Sequence, residues 1–252
     1  MKRKLSKISF LHYVKLVLRT LLFIVVLVTY ILDRTEILTY NAIIPAIVWV
    51  FFVVEMFFRF FPSRLESMGC QKQFARNYDP VSDRSKPENQ SWRETAIVIL
   101  VWFLLNGVIG ALYYAGILDR GILILIAIGY SVCDIICILF FCPFQTWFMK
   151  NRCCTTCRIY NWDFAMMFTP LVFIPSLYTY SLLGCALVLL VRWELSYRLH
   201  PERFSPSTNR CLDCSRCEEK LCSHKTQLMG YLRKYRTKFF PSRASKRSNE
   251  KD

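Results

Sequence analysis

The sequence predicts an all-α integral membrane protein, built as a bundle of six transmembrane segments with both termini in the cytoplasm. The chain of 252 residues is 54% hydrophobic. Residues 95–118 and 164–191 contain no Asp, Glu, Lys or Arg, and residues 121–149 contain only Asp134. A hydrocarbon core of about 30 Å requires roughly 20 apolar residues in helical form. Because lipid offers no hydrogen-bond partner to the backbone, we expect these runs to be membrane-spanning helices.

The first four spans form two hairpins with short turns. The first pair is predicted at about 16–32 and 37–60, and the second at about 95–118 and 121–142. The amino terminus carries Lys2, Arg3, Lys4 and Lys7 before its apolar stretch, as secretory signals do. That stretch is too long for a signal, and no small-residue cleavage site follows Ile31, so an uncleaved first span is expected.

Basic residues fix the predicted orientation, because they prefer the cytoplasmic ends of spans. The amino terminus holds six Lys and Arg residues up to Arg19, the connection 62–93 holds six, and the connection 150–163 holds three. The turns at 33–34 and 119–120 hold one each. The alternation predicts a cytoplasmic amino terminus and two cytoplasmic connections.

The last apolar run is predicted to contain two segments. The tail from His200 onward holds 13 basic and 6 acidic residues, which argues against an external position. Pro170 and Pro175 can bend or end a helix, so we divide the run near Pro175 and Ser176 into segments at about 164–175 and 177–193. The alternative is a single kinked fifth helix. The chain thus divides into a helical bundle, 1–197, and a cysteine-rich basic tail, 198–252.

Polar side chains within the spans are costly and therefore informative. Asp134 lies near the middle of the fourth span and is interpreted as a proton or ion site or, alternatively, as a hydrogen-bond anchor to another span. Glu55 and Arg59 are four residues apart in the second span, which predicts an ion pair on one helix face. Cys133 and Cys137 likewise share a face of the fourth span.

The cysteines carry the main functional hypothesis. The sequence has twelve, and we place eight on the cytoplasmic face. These eight are Cys142, Cys153, Cys154, Cys157, Cys211, Cys214, Cys217 and Cys222. Cysteines in a reducing compartment at C-x-x-C spacing are rarely structural disulfides. Two thiols so spaced can bind one ion or cluster edge, so metal binding is expected.

The tail motif resembles the cysteine run of bacterial ferredoxins. Cys211, Cys214 and Cys217 have C-x-x-C-x-x-C spacing, as in the run that holds a 4Fe-4S cluster. In that run a fourth cysteine follows after three residues and precedes proline, whereas Cys222 follows after four and Ser223 replaces the proline. With a Cys-Pro at a span end, the combination is similar to membrane polyferredoxin-like electron-transfer proteins. The resemblance implies iron-sulfur clusters and electron exchange with a quinone and a cytoplasmic redox partner.

The eight cysteines are enough for two complete four-cysteine sites. We therefore expect one or two iron-sulfur clusters. One would use Cys142 with the cysteines of the 150–163 connection, and the other would use the four tail cysteines. The alternative metal is zinc: Cys154 and Cys157 with Cys211 and Cys214 would make a closed four-thiolate site that ties the tail to the connection. His224 is a candidate to replace one of these sulfurs.

The net charge of +15 is concentrated on the cytoplasmic face. Basic residues of the tail are expected to contact anionic lipid headgroups, and no nucleic-acid partner is expected. Three functions remain: a membrane electron-transfer protein that would act as an oxidoreductase in the cell (inner) membrane; a zinc-stapled scaffold that binds partners; and a small ion or metal transporter. The transporter would use Asp134, Cys133 and Cys137 to carry a soft ion such as Cu(I).

Overall fold

The computed structural model describes residues 7–32, 43–62, 73–81, 87, 92–149 and 156–213, and this part of the chain is helical and contains no β-strand. The α-helices are α1 (Lys7–Leu32), α2 (Ile43–Phe60), α3 (Trp92–Tyr114), α4 (Arg120–Leu139), α5 (Asp163–Phe168) and α6 (Leu177–Leu199). Short 3-10 turns precede and follow α5, at Arg158–Trp162 and Thr169–Phe173. The all-α prediction is confirmed for the described residues.

Within the described residues, three helices are long and apolar enough to cross a membrane: Phe10–Leu32, Trp92–Tyr114 and Arg120–Leu139. Their outer faces leave large apolar side chains exposed, such as Val25 on α1 and Leu104 on α3, while Arg19 and Asn106 on the same helices are buried. A water-soluble domain hides apolar side chains and exposes charged ones. The reverse arrangement indicates membrane association.

The helices pack around the short α5 segment at the centre of the bundle. Helix α1 lies along α4, α2 lies along α6, and α5 with its 3-10 continuation contacts both α4 and α6. Phe52, Leu123, Phe168 and Leu189 from four of these helices meet in one buried cluster. The short segment therefore forms part of the core and joins the two helix pairs.

Helices α3 and α4 are separated by a well-defined turn. Helix α3 ends at Tyr114, and Gly116 in the turn that follows has a φ of 75°, in the left-handed region that favours glycine. The amide of Ile117 donates to the carbonyl of Leu112 at 3.0 Å, which closes the helix end. Asp119 then begins α4, since its carboxylate accepts a hydrogen bond from the amide of Ile122 at 2.9 Å.

The helix of the last apolar run is interrupted near Pro175, where the sequence predicts a break. The 3-10 turn after α5 ends at Phe173, and α6 begins at Leu177, immediately after Ser176. The hydroxyl of Thr179 shares its proton between the carbonyls of Ile174 and Ser176, at 2.6 and 2.9 Å, and so ties the first turn of α6 to the residues at the break. Helix α6 continues to Leu199, beyond the predicted end at 193, and its Trp193 ring packs on Phe204.

Candidate functional site

A buried charge network joins four helices in the interior of the bundle, α1, α2, α4 and α5. The guanidinium of Arg19 on α1 donates to Glu55 of α2 at 2.8 Å and to Asp134 of α4 at 3.0 Å. It also donates to the backbone carbonyl of Ser131 at 2.7 Å. Arg19 is only 1% exposed, so these contacts replace its water shell. Of the two interpretations of Asp134, the anchor to another span agrees with this geometry.

The predicted pair between Glu55 and Arg59 within α2 is replaced by pairs between helices. Glu55 forms ion pairs with Arg19 and with Lys15 of α1, the latter at 3.4 Å. Arg59 donates to Asp163 at the start of α5 at 2.8 Å. The physical reason is that side chains on the inner face of α2 point at neighbouring helices, where oppositely charged partners are also removed from water.

Each charged side chain of this network has a partner of opposite sign. The cations are Lys15, Arg19 and Arg59, and the anions are Glu55, Asp134 and Asp163. Three positive and three negative groups leave these six side chains with no net charge. Sequence analysis missed Lys15, Arg19 and Asp163 as members. The sequence feature that could have identified them is that each is a charged residue inside or at the edge of an apolar stretch.

A cavity of about 320 Å³ lies beside the network, between α3, α4 and α5. Asp134 and Asp163 both reach its wall, but most of the lining is apolar or sulfur-containing. Six of the lining side chains carry sulfur: Cys133, Cys137, Cys142, Cys157, Met166 and Met167. Four of the six cysteines in the described residues thus face a single cavity.

Two of these thiols are direct neighbours. Helix α4 ends at Leu139, and the chain turns before Pro143, which brings the side chain of Cys142 back to hydrogen-bond with that of Cys137. The amide of Gln145 donates to the Cys142 sulfur at 3.4 Å. The turn places Cys142 on the cavity wall.

The structure brings some of the predicted ligands together and places another apart. Cys142 and Cys157 line the same cavity, although they are far apart in sequence. Cys211 does not line it, and its thiol donates to the carbonyl of Asn77 at 3.1 Å. The remaining predicted ligands lie outside the described residues; they are Cys153, Cys154, Cys214, Cys217 and Cys222. Within the described residues, no group of three or more His, Cys, Asp or Glu side chains is arranged to hold a metal ion.

Methionines are the lining residues that the sequence did not indicate. Met166 and Met167 lie in α5, which the sequence presents as a uniformly apolar run. Only the burial of α5 against α4 turns their thioethers toward the cysteines.

Comparison with known proteins identifies no relative: no protein-family model, curated protein or solved structure matches the chain.

Proposed function

We propose that this chain is an integral membrane protein of the cell (inner) membrane that transfers electrons through iron-sulfur clusters held by cysteines on its cytoplasmic face. Its topology would be six membrane segments with both termini cytoplasmic. The basic residues of the connections support this orientation. The break between α5 and α6 supports the sixth segment, because it allows the chain to return to the face from which it entered.

The observation that carries the proposal is the position of Cys142 and Cys157 on one cavity wall. They are two of the four thiols assigned to the first site, and they come from different sides of the same connection. The two remaining ligands of that site, Cys153 and Cys154, lie between them in sequence. The donor set suits a soft or borderline metal, since thiolates select iron-sulfur clusters, zinc and Cu(I) over hard cations.

A second site in the tail would use Cys211 with Cys214, Cys217 and Cys222. Cys211 sits beside Asn77, away from the cavity, which favours two separate sites over the shared zinc site that would join Cys157 to Cys211. When bound, clusters of this type accept and donate single electrons. The residues of this chain would supply the thiolate ligands and an apolar wall that excludes water. A membrane quinone and a cytoplasmic protein would be the redox partners.

Anaerobic purification of the full chain, with iron, sulfide and zinc analysis and electron paramagnetic resonance of the reduced protein, tests the proposal. We expect about four or eight irons per chain and a signal that appears on reduction. Cys142→Ser and Cys157→Ser should each lower the iron content. The matched control is Cys185→Ser, because Cys185 lies on α6 and does not line the cavity. One or two zinc ions with no reducible signal would instead support the zinc-stapled scaffold and end the electron-transfer proposal.

Soft-metal transport is the second candidate, and the sulfur-lined cavity favours it. The cavity is lined by Cys133, Cys137 and Asp134, the side chains expected for such a path, together with the thioethers of Met166 and Met167. Thiolates and thioethers are the ligands that Cu(I) prefers. Titration of the reduced protein against a coloured Cu(I) chelator tests this directly. Cys137→Ser should weaken Cu(I) binding while Cys185→Ser leaves it unchanged, and equal affinity in both variants would reject the cavity as the binding site.

A further inference from the structure

A second cavity, of about 330 Å³, forms a groove on the outer side of the bundle between α3 and α6. Arg158, Glu194 and Arg198 line one end, and Phe103 and Leu190 line the other. Exposed aromatic rings border it, with Trp92 at 59% and Phe103 at 65% exposure. The groove therefore has a charged end and an apolar end along the direction of the helices.

The charged end is held by a fixed set of contacts. Arg158 donates to Glu194 at 2.7 Å and lies over the rings of Trp92 and Tyr197, with its guanidinium carbon 5.2 and 4.7 Å from their centroids. Trp162 donates to the same carboxylate at 2.8 Å. These contacts neutralise the charge of Arg158, and they leave the Glu194 carboxylate already hydrogen-bonded to Arg158 and Trp162.

Arg198 supplies a positive charge that the groove itself does not balance. It lies one helical turn beyond Glu194, is exposed and lines the groove. No carboxylate within the described residues forms an ion pair with it. The charged end thus contains two arginines and one carboxylate, which gives it a net charge of +1 and makes it complementary to a single anion.

The length of the groove suits one leaflet of a bilayer. From Arg198 to Leu190 the groove follows α6 for about 12 Å, and from Trp92 to Phe103 it follows α3 for about 16 Å, at the helical rise of 1.5 Å per residue. Half of a hydrocarbon core of about 30 Å is comparable. The contacts of Arg158 with both Trp92 and Glu194 hold the start of α3 and the end of α6 at the same level.

We propose that this groove binds one phospholipid with an anionic headgroup. The lipid phosphate contacts Arg198, and an acyl chain lies against Phe103, Leu190 and the neighbouring apolar side chains. Because the ligand comes from the bilayer around the helices, its binding requires no metal or redox activity. The Trp rings at the charged end suit the headgroup level, where tryptophan is enriched in membrane proteins.

Native mass spectrometry of the full chain in an uncharged detergent tests the site. Phosphatidylglycerol and phosphatidylcholine with identical acyl chains are titrated separately, and a further arm adds inorganic phosphate as a competitor. Phosphatidylglycerol should bind more tightly, and Arg198→Gln should weaken its binding about fivefold, as expected for one basic residue at the membrane surface. Arg198→Lys should retain most of the preference because it keeps the charge.

The matched control is Arg76→Gln, since Arg76 is also exposed and lies outside the groove. It should leave both affinities unchanged, and inorganic phosphate should not displace the lipid. Equal binding of the two lipids by the native chain, or equal losses in the Arg198 and Arg76 variants, would refute a specific anionic site. Displacement by inorganic phosphate at matched concentration would equally refute it by showing that the acyl chain contributes nothing.

Discussion

Replacement of Arg19 by methionine tests the buried charge network most directly. The native side chain is 1% exposed and makes three polar contacts between 2.7 and 3.0 Å, with two carboxylates and one carbonyl. Methionine keeps the volume and removes the charge. Glu55 still has Lys15 as an ion-pair partner, but Asp134 loses the ion pair that joins it to α1.

The expected loss of stability follows from that uncompensated carboxylate. Breaking a buried ion pair by removing one partner costs about 3–5 kcal/mol. Hydrogen bonds between helices in a membrane contribute less, on average about 0.6 kcal/mol. We therefore expect the loss in free energy of unfolding to lie near the lower limit of the range, at about 3 kcal/mol. Asp134→Asn alone should cost about 1 kcal/mol, because its amide oxygen can still accept a hydrogen bond from Arg19 and Arg19 keeps Glu55.

The double variant Arg19→Met with Asp134→Asn distinguishes charge pairing from packing. If the cost arises from the unpaired carboxylate, the double variant should be more stable than Arg19→Met alone, with a coupling free energy of about 2 kcal/mol. Unfolding in mixed micelles of increasing dodecyl sulfate content, followed by far-ultraviolet circular dichroism, measures each value. Arg76→Met, at an exposed position, is the control and should change little. A double variant whose loss equals the sum of the single losses would refute the reasoning.

Two further predictions concern close packing and a hydrogen bond near the turn between α3 and α4. A Cβ at Gly110 would lie 2.3 Å from the ring tip of Phe173, so Gly110→Ala should destabilise the chain by about 1–2 kcal/mol. Gly107→Ala, on the same helix with open space around it, should instead stabilise by up to about 1 kcal/mol, and equal effects on the unfolding midpoint would contradict the packing argument. Tyr30→Phe removes a 2.7 Å hydrogen bond to Asp119 and should cost about 1 kcal/mol in the same unfolding assay; an unchanged midpoint would show that water replaces the hydroxyl.

The fold could be predicted from the sequence where a single physical rule applied to a long segment. The uncharged run 95–118 predicts a helix, and α3 occupies Trp92–Tyr114. Pro175 predicted a break, and the structure has it. Helix ends were harder to predict: α1 begins at Lys7, ahead of the predicted start at 16, and Lys15 in this extension forms an ion pair with Glu55 that hydropathy does not include.

The candidate site could be predicted from the sequence only in part. Cysteine spacing indicated metal ligands, and the structure places Cys142 and Cys157 on one cavity wall. Spacing carries no information on Met166, because its orientation depends on how α5 packs against α4. The pairing of Arg59 with Asp163, more than one hundred residues away, likewise follows from helix packing. The rule that opposite charges four residues apart form an ion pair applies only to neighbours on the same helix.

The sequence by itself determined that the chain is helical and has segments able to cross a membrane, because those properties depend on the composition and length of local stretches. It also determined the spacing of the cysteines. Only the tertiary structure decided that Asp134 is anchored by Arg19, that sulfur side chains surround one cavity and that Arg198 ends an amphipathic groove. These features join side chains from different helices, and their geometry is set by packing between segments that are distant along the chain.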